Sequence, residues 1–224
     1  MLNNQFHKDS INALRVQDQT IALVFGFESS QRRSLAANLL CLSGELENAI
    51  RIPKEPMLAA IRVQWWHDTL ADDSNENQVN IAPLIVRLRM HISNYDIKRD
   101  DILKLIEAWQ VCAMDETASS SEAWGICWHL VGGYLGDDTI ANTTERIARS
   151  LHDKKTTNNP LKPMFDDAYF VDMRKQAQES RQWWLYFAAI IGYRRHVDSH
   201  ALNEDHLLVW RLLSWRLFGF RIPN

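Results

Sequence analysis

Apolar residues recur at three- and four-residue steps through most of this chain, and strict alternation survives nowhere beyond a few residues. Such a period buries apolar surface only in helices, because a strand needs a period of two. Leu35, Leu39, Leu42, Leu46 and Ile50 form one stripe behind Ser29 and Ser30, both able to cap a helix start, which predicts a helix over about 29 to 50. Arg51-Ile52-Pro53 breaks it, and Pro56 restarts a helix at a position where its missing N–H has no helical partner. The stripe Met57, Ile61, Trp65, with Leu58 and Leu70, then runs to Asp72-Asp73.

Polar Asp72 to Asn80 predicts a loop, and shorter helices follow over about 81 to 94 and 99 to 114. Ser119-Ser120-Ser121-Glu122 matches a capping box ahead of Trp124, Cys127, Trp128, Val131 and Leu135. Gly125, Gly132 and Gly133 inside that helix mark the close approach of another helix or of a ligand. Asp153 to Pro163 reads as a loop, and Asp166 to about Tyr193 and Asp205 to about Phe218 are the last two helical stretches. The fold class is therefore all-α: one domain over 1-224, with about eight helices around one core.

Composition narrows the function classes. A formal net charge of -3 with 24% charged residues gives no global electrostatic reason to bind nucleic acid. Eight Gly and six Pro argue against phosphate-cradling glycine loops and a turn-rich sandwich. Cys41, Cys112 and Cys127 lie far apart without a CxxC, so they read as small core residues of a reducing compartment. The opening residues lack an apolar secretion segment and an Arg-rich import pattern. The longest apolar run, Trp183 to Tyr193, is about half of what a membrane span needs, so no transmembrane helix is expected. Nine Trp require pockets, grooves or interfaces.

Glu55-Pro56-Met57-Leu58-Ala59-Ala60-Ile61-Arg62-Val63-Gln64-Trp65-Trp66-His67-Asp68-Thr69-Leu70 closely resembles the EPMLxxIRxQWWxDxL stretch of bacterial squalene/phytoene synthase family proteins. Arg32 through Glu47 resembles the helix carrying that family's first Asp-rich motif, and Ile126 through Gly136 resembles its glycine-containing YCxxVAGxxG helix. The resemblance covers about 18 to 185 and implies the all-α isoprenoid synthase fold. Active members of that family condense prenyl diphosphates head to head in a central cavity. Their chemistry needs Mg²⁺ held between carboxylates one helical turn apart, to neutralise the leaving diphosphate.

This chain departs from the pattern at both motifs. At the first it reads Cys41-Leu42-Ser43-Gly44-Glu45-Leu46-Glu47-Asn48, with glutamates at i, i+2 that point to different sides of a helix. After Gly132-Gly133, Asp137-Asp138 is followed only by distant Glu145 and Asp153, and Asp166-Asp167 lacks an i+4 carboxylate. Asp68 and Asp72 do have DxxxD spacing, but at a helix end away from the resembled motif, and they read as a solvated terminus. His196 and His200 have the i, i+4 spacing of a zinc pair without an HExxH, in what reads as a loop. No metal site and no catalytic residue is assigned, and nucleophile elbows are absent.

The candidate cavity residues are Glu45, Arg62, Gln64, Trp65, Trp66, Cys127, Gly132 and Gly133. Two readings of the tryptophan pair stay open: both line an apolar chamber, or one packs in the core while its neighbour, about 100° round the helix, faces an interface. At the C-terminus, Trp210, Arg211, Trp215 and Arg216 are the candidate interface. There the Leu207, Trp210, Leu213, Leu217 row and the Trp215, Phe218 row cover too much circumference to face one neighbour.

The expectation is a non-catalytic squalene/phytoene-synthase-like protein that acts by binding, with no cofactor. The resemblance implies a respiratory complex assembly factor as its model. The alternative is a prenyl diphosphate transferase with atypical ligands, Glu45 replacing an aspartate and Mg²⁺ required. Expected partners are a protein or a lipid or isoprenoid ligand, with peripheral membrane contact and no nucleic acid. The expected location is the cytoplasm, at the periphery of the inner membrane, or the mitochondrial matrix in a eukaryote.

Overall fold

The computed structural model describes residues 4–53, 55–72, 81–94, 96–115, 117–152, 165–197 and 207–220, with the side chains of 150–152 and 195–197 outside that description. Within them the chain is helical throughout, with no strand. Eleven α-helices replace the expected eight or so: α1 (Asn4–Gln17), α2 (Gln19–Val24), α3 (Ser30–Arg51), α4 (Pro56–Ala71), α5 (Pro83–Ser93), α6 (Arg99–Met114), α7 (Ser120–Leu135), α8 (Asp138–His152), α9 (Asp167–Ser180), α10 (Trp183–Val197) and α11 (Leu208–Phe218). A short 3-10 turn, Phe25–Phe27, follows α2.

The excess has physical causes. Asp18 accepts the Ile21 N–H at 2.9 Å and so starts α2 one residue after α1 ends. Asp137 does the same for α8, accepting from Ile140 N–H at 3.0 Å. The expected single stretch from Asp166 to Tyr193 is two helices, because Arg181 takes a left-handed conformation, φ 58°. Nothing local demands that turn, which costs about 1 kcal/mol in a residue with a side chain. Packing does: α9 buries one face, through Phe170, Met173 and Ala177, whereas α10 buries every residue from Trp184 to Ile191. One straight rod cannot give both segments those surroundings.

Helix α3 is the axis of the fold and packs on α1, α4, α5, α6 and α7. Its residues from Ser34 to Gly44 are all buried, as expected of a helix enclosed on every side. Buried polar groups stitch it to its neighbours. Asn38 donates to Ser10 on α1 at 3.2 Å and accepts from Arg87 Nε on α5 at 2.9 Å. The capping box is only half formed: Ser119 accepts the Ser121 N–H, while the Glu122 carboxylate pairs with Arg149 on α8.

Candidate functional site

The departure Gly44-Glu45-Leu46-Glu47 lies on the second half of α3, and helical geometry sends its two glutamates into different spaces. Glu45 opens onto an outer groove of about 440 Å³ between α3 and α4, shared with Ile52, Ile61, Arg62, Trp65 and Trp66. Glu47 faces a central cavity of about 600 Å³, inside the usual size range of small-molecule sites. Its apolar wall comprises Leu14, Ile21, Leu40, Trp124, Trp128, Ile147, Ala148, Leu185, Ala188 and Ile191, from six helices. Gln17, Asp18, Glu47, Asn48 and Thr144 supply its polar groups.

Several local choices shape that cavity. The Gln17 side chain fills the space into which a Cβ at position 44 would project, so the end of α1 closes directly over α3 at Gly44. Trp128 and Trp184 flank Phe25 at centroid distances of 6.3 and 5.6 Å, an aromatic stack that holds the 3-10 turn against α7 and α10. The motif glycines answer the question left open above, and the neighbour is a helix. A Cβ at Gly132 would strike the Ala141 backbone and the Thr144 hydroxyl, and one at Gly125 would strike Arg149, all on α8. Thr144 uses this closeness to donate to the Trp128 carbonyl at 2.8 Å. Gly133 is exposed, and a Cβ there would sit 3.7 Å from that of Ala141.

The remaining motif residues separate. Trp66 is buried and Trp65 is 45% exposed, their rings edge to face at 5.2 Å. Arg62 joins Trp65 in the outer groove, whereas Gln64 turns toward α6, donating to Asp68 and accepting from Gln110 at 2.7 Å. Cys127 is fully buried, donates to the Leu39 carbonyl at 3.5 Å, and burial pushes its thiol up to about 12. Cys41 is pushed to about 12 in the same way, against the pull of Arg87. Both stay protonated and are no nucleophiles at neutral pH.

Five of the described carboxylates are engaged otherwise. Asp18, Asp137 and Asp166 each accept a backbone N–H at a helix start, at 2.9, 3.0 and 2.7 Å. Glu145 pairs with His129 at 2.8 Å and Arg149 at 2.7 Å. Asp68 accepts from Gln64 at the end of α4, where Arg89 donates to the Thr69 and Asp72 carbonyls. The donor set therefore does not fit the facing carboxylate pairs that Mg²⁺ requires: Glu47 and the helix-capping Asp18 are the acids lining the central cavity among the described residues. Among those residues no group of three His, Cys, Asp or Glu stands close enough to share an ion. His200 and the His196 side chain lie outside them.

At the C-terminus α11 divides its circumference. Leu208 and Leu212 are buried, and Trp215 packs inward, edge to face with Phe220 at 5.4 Å and under Arg194 at 5.7 Å. Trp215 and Phe218 thus do not form one row, since Phe218 is 81% exposed. Arg216 stacks over Trp183 at 5.0 Å and Phe27 at 5.6 Å, while Arg211 and Trp210 are exposed. Among the described residues no helix is long and apolar enough to cross a membrane.

None of the candidate cavity residues Glu45, Arg62, Gln64, Trp65, Trp66, Cys127, Gly132 and Gly133 lines the central cavity, and sequence reasoning missed its lining, Gln17, Asp18, Leu185, Ala188 and Ile191 included. The i, i+4 pair Trp124 and Trp128 was the one available signal. No protein-family model, no curated protein and no solved structure matches this chain.

Proposed function

We propose that this chain is a non-catalytic protein of the squalene/phytoene-synthase-like kind, which acts by holding an elongated apolar ligand of isoprenoid or lipid type in its central cavity. The observation that carries the reading is the divergence of Glu45 and Glu47 into separate spaces. A diphosphate leaving group needs cations gathered at one point, and two acids on opposite sides of α3 cannot gather them. The charged groups among the described lining residues, Asp18 and Glu47, are both acids and repel a diphosphate. The aliphatic and tryptophan wall suits an uncharged chain instead.

The role that the resemblance implies, assembly of a respiratory complex, calls for a protein-docking face as well. Met57, Leu58, Ile61 and Trp65, with Ile52 beside them, leave one side of α4 apolar and exposed, and support that part of the reading.

The test uses the full chain with geranylgeraniol and with geranylgeranyl diphosphate, with and without Mg²⁺, following binding by calorimetry and diphosphate release by a coupled assay. Saturable binding of the alcohol, lost in Ala148→Trp and unaccompanied by diphosphate release in the second arm, is the expected result. Metal-dependent release that disappears in Glu45→Ala would overturn it in favour of a prenyl transferase with atypical ligands.

A further inference from the structure

The outer side of α11 carries an observation that the cavity does not explain. Trp210 is 70% exposed, Leu217 66% and Phe218 81%, with Leu207 and Val209 also exposed. At 3.6 residues per turn these residues spread over the half of the helix opposite the buried Leu208 and Leu212. A helix face surrounded by water would carry charge there. Here Ser214 is the polar residue on that half.

The charges sit around the face rather than on it. Helix α11 contains two cations, Arg211 and Arg216, and no acid, in a chain whose net charge is -3. By helical geometry they flank the buried row on opposite sides, at the border of the exposed half. Arg174 reaches from α9 to donate to the Arg216 and Leu217 carbonyls at 3.0 and 2.5 Å, which holds a third guanidinium at the end of the apolar face. Lys175 and Asp167, both on α9, line the groove beside Phe218. Exposed Trp, Leu and Phe bordered by Arg and Lys match a helix lying in a bilayer interface, its rings in the acyl boundary and its cations at anionic headgroups.

We infer that α11 docks this protein onto an anionic lipid surface, with Trp210, Leu217 and Phe218 entering the interface and Arg211, Arg174 and Lys175 facing the headgroups. The docking does not rest on the proposed cavity ligand, and either can fail without the other.

Flotation of the full chain with phosphatidylcholine vesicles and with mixed phosphatidylcholine and phosphatidylglycerol vesicles tests it. Binding to the mixed vesicles should be stronger and should fall with added salt. The double variant Trp210→Glu, Leu217→Glu should bind at least about tenfold more weakly, with an unchanged melting temperature because both side chains are outside the core. Arg211→Glu should weaken binding to the mixed vesicles only. Absence of binding to either vesicle, or equal binding of the double variant, would overturn the inference. So would a dimer in solution that the double variant converts to monomer, since the face would then belong to a second copy of the chain.

Discussion

The Tyr186 hydroxyl accepts the Phe220 N–H at 2.8 Å, which ties the residue beyond α11 to the buried centre of α10. Phe220 adds edge contacts to Phe170 at 4.9 Å and Trp215 at 5.4 Å, so the last helix is fastened at its far end. Tyr186→Phe keeps the ring and leaves a buried N–H without its acceptor, at a cost of about 1 to 2 kcal/mol. Urea unfolding should show that loss, and hydrogen exchange at the Phe220 amide should accelerate more than exchange within α3. Unchanged exchange at Phe220 would mean that α11 is held by its side chains alone.

Glycine is needed at 132 and dispensable at 133. Gly132→Ala forces a methyl against the Ala141 backbone and should cost about 1 to 3 kcal/mol, measured by chemical denaturation. Gly133→Ala meets ordinary contact distance and should be neutral or stabilising by up to about 1 kcal/mol, through helix propensity. Equal effects would contradict the close approach of α7 and α8.

The tryptophan pair should split in the same manner. Trp66→Ala empties a buried position and should cost about 3 to 5 kcal/mol. Trp65→Ala removes a half-exposed ring and should cost less than about 1 kcal/mol, while weakening association with any protein that docks on the α4 stripe. A thermal melt of the two variants decides between a shared and a divided role.

Stability should fall on mild acidification through His91. This side chain is buried and its Nδ1–H donates to Asp96 at 2.7 Å. Burial holds its pKa below the ordinary 6.5, the Asp96 hydrogen bond opposing, and His7 in the same corner is lowered first by burial and then by Arg33. The unfolded chain therefore takes up these protons at higher pH than the folded one. The contribution is complete above pH 6.5 and declines as pH falls from there toward the lowered folded values. Denaturation of wild type and His91→Gln at several pH values should give a shallower acid slope in the variant, and parallel slopes would remove His91 from the account.

The helices α3 to α7 were legible from apolar period, capping residues and proline, because those signals act between neighbours in the chain. Periodicity also placed Glu45 and Glu47 on different sides of α3, since their angular separation is a property of the helix itself. The direction of the core is not. Whether Trp65 or Trp66 is buried, which row of α11 faces inward, and whether the glycines of α7 admit a helix depend on where α6, α8 and α10 lie. The turn at Arg181 likewise has no local cause: the left-handed residue is disfavoured by its own side chain and is held because α9 and α10 bury different amounts of surface. Sequence periodicity determined which side chains share a helix face; the assembled fold alone decided which of those faces meets protein, because burial is set by neighbours distant in the chain.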